Sequence, residues 1–126
     1  MLLDSDVLID LLREYFPAEQ WLATLPGLPP VAGFAAMELI NGCRDSRELR
    51  RVRHFLATFT ILWPSENGLN QALNDLMPLK VSHGLGWVDS LIAATALTHD
   101  LPLATFNVRH FDAVPGLETR EPYSRL

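Results

Sequence analysis

The sequence predicts an α/β protein with a mainly parallel central sheet and helices on both of its faces. Three observations carry that prediction. Short apolar segments suited to buried strands recur at residues 2–3, 31–34, 60–63 and 102–105. Each is followed by helical spacing or a turn, and strands that alternate with helices form parallel sheets through right-handed crossovers. The scale fits as well: 126 residues, 48% hydrophobic and 20% charged, suit one domain with one core.

In chain order, Leu2 and Leu3 form a first strand that runs into Asp4. The apolar positions Val7, Leu8, Leu11, Leu12 and Tyr15 keep helical spacing, and the helix stops before Pro17. Pro17 opens a second short helix carrying Trp21, Leu22 and Leu25, because its fixed φ suits a first turn. Residues 26–30 are a Pro- and Gly-containing loop. Residues 31–34 are a strand and 35–40 a helix closed by Asn41 and Gly42. Asp45 with Glu48 gives a capping-box pattern that opens a long helix to about Thr58. Residues 60–63 are a strand stopped by Pro64, and 65–79 are helical with a weak pattern. Residues 81–86 read as a loop, 88–99 as a helix, 102–105 as a strand and 117–119 as a last strand.

Ten basic and fifteen acidic residues give a formal charge of −5. That balance argues against nonspecific adhesion to nucleic acid, but a local basic face or a bound cation still admits it as a substrate. Lys80 is the only lysine, so mechanisms that need two are excluded. A single cysteine, Cys43, excludes an intrachain disulfide and, without another chain, a Cys-based zinc cage. No apolar run approaches the ~20 residues of a membrane span. Asp4 stands where a secretory signal would have basic residues and then a long apolar stretch. The expected protein is soluble and cytoplasmic, with no membrane partner.

Placing the acids on this layout is informative. In a parallel α/β sheet, the C-terminal ends of the strands and the N-terminal ends of the following helices share one edge, where ligands bind. Asp4, Asp6, Glu38, Asp89 and Asn107 all fall on that edge. Taken singly, Asp4, Asp6 or Asp89 is a good helix cap, and Asn107 is a good turn residue. As a set, crowded carboxylates repel one another and raise each other's pKa unless a cation neutralises them. With oxygen ligands, no Cys pair and no His-x-x-x-His spacing, the chemistry points to Mg²⁺ or Mn²⁺ rather than zinc.

Four segments, in order, resemble the motifs of PIN-domain nucleases. They are Leu2-Leu3-Asp4-Ser5-Asp6, Ala36-Met37-Glu38-Leu39-Ile40-Asn41-Gly42, Asp89-Ser90-Leu91-Ile92-Ala93-Ala94-Thr95-Ala96, and Leu103-Ala104-Thr105-Phe106-Asn107 through Pro115-Gly116-Leu117. The length and the closing Pro-Gly-Leu segment are most similar to the VapC-type toxins of toxin–antitoxin pairs. The resemblance implies a three-layer α/β/α sandwich spanning 1–126 and Mg²⁺- or Mn²⁺-dependent endoribonuclease activity. It also implies a cognate antitoxin and a homodimer. Carried over by position, Asp4, Glu38 and Asp89 form the acidic core with Asp6 nearby, and Asn107 completes the catalytic set. Asp4 and Asp89 are the expected metal ligands, and Glu38 is expected to orient or deprotonate the attacking water. The chain departs from the family at Asn107, where relatives often carry an acid, and at His110, where many have Asp. Phe34 stands in place of a capping Ser or Thr before the helix of Glu38.

Other residues carry weaker signals. Arg44, Arg47, Arg50, Arg51 and Arg53 supply five of the ten basic residues within ten positions. They read equally as a solvated face or as a phosphate-binding track. Trp87 reads as a rim or core aromatic or as a base-stacking platform, and Cys43 as an inert thiol. Two competing readings remain. Asp4-Ser5-Asp6-Val7 also resembles the first motif of haloacid-dehalogenase-like phosphatases, and Asn107 with His110 would suit a non-catalytic PIN-fold binding module.

Overall fold

The computed structural model of the chain describes residues 1–125. Five two-residue strands form one all-parallel sheet: β1 (Leu2–Leu3), β2 (Val31–Ala32), β3 (Ile61–Leu62), β4 (Leu103–Ala104) and β5 (Thr119–Arg120). Their order is β3-β2-β1-β4-β5. Leu3 is in register with Val31 on one side of β1, and Leu2 and Leu3 with Leu103 and Ala104 on the other. β1, β2 and β4 are wholly buried, as strands of a parallel sheet covered on both faces must be, which is why they read as continuous apolar runs.

The helices are α1 (Ser5–Leu12), α2 (Phe16–Ala23), α3 (Gly33–Asn41), α4 (Ser46–Leu56), α5 (Glu66–Gln71), α6 (Leu79–His83), α7 (Trp87–Thr98) and α8 (Val108–Phe111). In α7 every residue from Ser90 to Ala96 is buried, so over that stretch it is a core helix covered on all sides. Small side chains let it pack against α3 and α5 together. Its two buried hydroxyls are satisfied locally: Ser90 donates to the Gly86 carbonyl at 3.1 Å and Thr95 to that of Leu91 at 2.8 Å.

Several stretches differ from the sequence reading. The second strand stops at Ala32, and Gly33 and Phe34 belong to α3. The Trp63 ring lies so close over Gly33 that a Cβ there would overlap it, which lets this helix begin early and close to the sheet. α3 has no side-chain cap, but its N-cap is Ala32; Phe34, expected at the cap position, lies within the first turn. Residues 65–79 are not one helix. α5 is capped by Ser65, whose hydroxyl accepts from the Gly68 N–H at 3.0 Å, and passes into a π-helical segment, Ala72–Leu76. Pro78 follows and supplies no N–H for a regular turn. The expected loop at 81–86 begins inside α6, which ends on Gly84 at φ 74°, a conformation glycine adopts without strain.

The capping box of α4 is shifted by one residue. The Asp45 carboxylate accepts from the Glu48 N–H at 2.8 Å, but Glu48 reaches back to the Arg44 N–H at 2.9 Å. α8 has no counterpart in the sequence reading, and the last strand lies two residues later than its expected start. No helix among the described residues is long and apolar enough to cross a membrane.

Candidate active site

The strand order reverses beside β1: β2 and β3 lie on one side of it, β4 and β5 on the other. Such a switch point opens a crevice at the C-terminal ends of the strands. β1 delivers Asp4 there and β4 delivers Thr105. A cavity of about 420 Å³ at this edge is lined by Asp4, Ser5, Asp6, Glu38, Asp89, Phe106, Asn107 and Arg125. The structure therefore brings all four sequence-selected residues, Asp4, Glu38, Asp89 and Asn107, into one cavity, with Asp6 among them.

Asp4 is 4% exposed. One carboxylate oxygen caps α1, accepting from the Ser5 N–H at 2.7 Å, and the other accepts from the Thr105 hydroxyl at 2.8 Å. That hydroxyl also accepts from the Asn107 N–H at 3.0 Å. One buried Thr thus links Asp4 to the backbone of Asn107. Asp6 accepts from the Val7 N–H and the Phe106 N–H, both at 2.8 Å. These bonds lock both aspartates to the start of α1 and the end of β4.

Burial pushes the Asp4 carboxyl up to about 7, and the neighbouring Asp6 and Asp89 charges add to the rise against the bonds from Thr105 and Ser5. Asp6 is raised by burial, opposed by its two N–H donors and by Arg125. Asp89, in the first turn of α7, is raised by burial, with His110 opposing and Asp6 reinforcing. Glu38 stands at the rim on α3. Its partial burial and the charges of Asp89 and Asp6 raise it, while Ser5 opposes. Four acids raised together form a site that favours either protons or a cation.

Asn107 and His110, the two departures from the motif pattern, pair with each other: Asn107 Nδ2 lies 2.9 Å from His110 Nδ1. Ser5 faces Glu38. Sequence reasoning missed two residues of the site. Thr105 ends a strand at the ligand edge, so its position was a usable signal. Arg125 arrives from the far end of the chain and had none.

A model of the PIN domain matches residues 1–117. The chain belongs to the PIN domain family. It is 39% identical over 132 aligned residues to "Ribonuclease VapC10" of Mycobacterium tuberculosis, covering 95% of this chain and 98% of the relative. It is 31% identical to "Ribonuclease VapC1" of Rickettsia felis, covering 94% and 92%. Among solved structures, a toxin–antitoxin complex from Klebsiella pneumoniae superposes with a TM-score of 0.76 at 30% identity, covering 98% of each chain. A DNA-bound VapBC from Salmonella typhimurium gives a TM-score of 0.79 at 21% identity, covering 94% and 95%; this second likeness is one of fold. Membership in the PIN family displaces the haloacid-dehalogenase reading of Asp4-Ser5-Asp6.

The donor set fits a hard divalent cation. Every lining acid offers oxygen, and the buried Asp4 carboxylate lacks a cationic partner. Among the described residues, no three Asp, Glu, His or Cys side chains converge closely enough to enclose an ion. An ion here would be held by one or two carboxylates, with its other positions open to water or substrate. Mg²⁺ is commonly held in that way.

Four of the five clustered arginines lie on α4 and Arg44 just before its cap, and all five residues are exposed. Arg44 and Arg51 line, with Arg13 of the α1 C-cap, a groove of about 550 Å³ that reaches Glu38; Glu48 also lines it and is paired with Arg44 at 2.9 Å. Arg47 is not on it. Arg51 is also fixed, donating to the Leu12 carbonyl at 2.8 Å. The basic groove and the acidic cavity meet at one carboxylate.

Proposed function

We propose that the protein is a Mg²⁺- or Mn²⁺-dependent endoribonuclease of the VapC type, the toxin of a toxin–antitoxin pair, acting in the cytoplasm. The observation that carries this reading is the cluster of four raised acids, Asp4, Asp6, Glu38 and Asp89, around one cavity at the sheet's switch point. A bound divalent cation supplies Lewis acidity toward the phosphate and neutralises the carboxylates. Asp4 and Asp89 hold it. Glu38, at the rim where substrate and water enter, orients a water and takes its proton as the water oxygen attacks phosphorus. The bond from phosphorus to the leaving ribose oxygen breaks, and that oxygen is protonated from solvent. Asn107, steered by His110, donates to the scissile phosphate. The groove of Arg13, Arg44 and Arg51 carries the approaching strand by its phosphates.

A nuclease in its own cytoplasm requires a restraint, and the relatives' toxin–antitoxin context supports a cognate antitoxin protein. Expression of the protein alone should arrest growth. The Asp89→Asn variant should not, and co-expression of the neighbouring antitoxin gene should relieve the arrest. Growth arrest by the Asp89→Asn variant equal to that of wild type would reject the toxic-nuclease reading.

A homodimer is part of the same proposal. Met37 and Trp87 are 52% and 66% exposed and border an apolar groove of about 450 Å³ between α3 and α7, with Phe34, Ile40 and Val88. Leu73 of the π-helical segment is 63% exposed. Trp21 of α2, by contrast, packs on Tyr123 with ring centroids 5.8 Å apart. A second copy covers the α3–α7 groove, burying side chains that water otherwise surrounds. Met37→Glu should convert the dimer to a monomer in light scattering without lowering the thermal midpoint of the monomer. A dimer of undiminished affinity would place the contact elsewhere.

A further inference from the structure

Arg125 is the one basic side chain among those lining the acidic cavity. Its placement is built by the fold. Nε donates to Asp10 Oδ2 at 3.0 Å, and Nη2 donates to the Asp6 carbonyl at 3.4 Å. The guanidinium carbon sits 3.9 Å from the centre of the Phe106 ring, a favourable cation–π arrangement. The supports are themselves braced. The Tyr123 hydroxyl donates to the same Asp10 oxygen at 2.7 Å, and its ring meets Phe106 edge-on at 5.0 Å. Burial and the Asp10 bond raise the Tyr123 phenol, so it stays a donor.

A guanidinium carries five N–H donors. Only Nε and Nη2 are engaged by acceptors among the described residues, which leaves the Nη1 N–H groups without an acceptor among those residues. A side chain needed only to pin the tail to α1 would not have to line the cavity. An RNA strand must bring phosphates into a space walled by four acids, and a pre-oriented guanidinium with spare donors suits a phosphate's paired oxygens.

We propose that Arg125 binds an RNA phosphate beside the scissile bond, and so draws the polyanion into the acidic cavity. This rests on the ribonuclease reading. Arg125 contacts the strand on the Phe106 side of the cavity, and the basic groove contacts it on the Glu38 side. Asp10, Tyr123 and Phe106 are positioning residues that hold the guanidinium in its orientation.

The test is the salt dependence of RNA binding in EDTA, where no cleavage occurs, with a short fluorescein-labelled oligouridylate as probe. Each phosphate contact on a single strand contributes a slope of about 0.7 in log K against log salt. Arg125→Gln should weaken binding severalfold at low salt and lower the slope by about 0.7. Arg125→Lys should keep most of the slope. Arg47→Gln, which removes an equal charge from an exposed side chain that lines neither the cavity nor the groove, should leave the slope unchanged. A slope unaltered in Arg125→Gln would make Arg125 a tail fastener, and one lowered equally in Arg47→Gln would make the effect one of net charge; either result overturns the proposal. If wild type also fails to cleave bulk cellular RNA with Mn²⁺, the ribonuclease reading falls with it. Cleavage by wild type with an unaltered Arg125→Gln slope removes the Arg125 proposal alone.

Discussion

Asp4→Asn and Asp89→Asn each reduce Mn²⁺-supported RNA cleavage by at least about 100-fold while the fold survives. The lower bound follows from what lesser changes cost at metal sites: removing a residue that merely orients a ligand typically costs ~10–100-fold. A ligand carboxylate lost outright removes both the charge and the contact. The fold survives because an Asn carbonyl oxygen at position 4 can still accept from the Ser5 N–H or the Thr105 hydroxyl, the two bonds that now fix Asp4. Thr105→Val supplies the graded control. It removes the donor from Asp4 and the acceptor of the Asn107 N–H, so cleavage should fall by about 10–100-fold, with far-UV circular dichroism unchanged. Gel assays of a bulk RNA substrate with Mn²⁺, with and without EDTA, read all three. Wild-type rates in both aspartate variants would remove the metal-dependent mechanism.

The parts of this site that are legible in sequence are those built from local signals. Asp4 and Asp89 open helices, and Glu38 lies in the helix after β2. Strand–helix alternation is enough to send all three to one sheet edge. Asn107 follows β4 by the same logic. The partners across the sheet are less legible. The Thr105 hydroxyl meets a carboxylate 101 residues away in sequence; its place at the end of a strand marks it as an edge residue, but nothing local names its partner. Arg125 is further removed still, 115 residues from Asp10. Its role depends on how the last turn of chain crosses α1. Boundaries slipped where tertiary packing overrode local preference: at Gly33, where a tryptophan ring takes the space of a side chain, and at Ala72–Leu76, where the helix widens ahead of Pro78. The basic segment shows the same limit. Its helix was readable, but only the fold shows that Arg44 and Arg51 share a groove with Arg13 while Arg47 does not.

The metal-free protein becomes less stable as pH rises from about 5 to about 7.5, opposite to the usual response of salt-bridged carboxylates. The sign follows from Asp4. Its carboxyl titrates near 3.8 when unfolded and at about 7 when folded. Between those values the native state holds a proton that the unfolded chain has released. Raising the pH therefore favours unfolding, by at most about 1.4 kcal/mol per pH unit from this group. Above about 7 the contribution is flat, because both states are ionised. Asp6, Glu38 and Asp89 are displaced in the same direction, so each contributes a slope of the same sign over its own range. Urea midpoints in EDTA should therefore fall across this window. Asp4→Asn should flatten the fall and raise stability at the alkaline end, because it replaces a buried charge by a neutral acceptor. Saturating Mg²⁺ or Mn²⁺ should restore stability at high pH, by about 2.7 kcal/mol at a hundredfold excess over Kd, because the cation binds the ionised carboxylates. The same cation should stabilise Asp4→Asn far less. A metal-free wild type that gains stability from pH 5 to 7.5, or an Asp4→Asn variant that keeps the full metal response, would mean that the cluster is neutralised from within. Asp4 would then be a structural cap of α1 rather than a ligand.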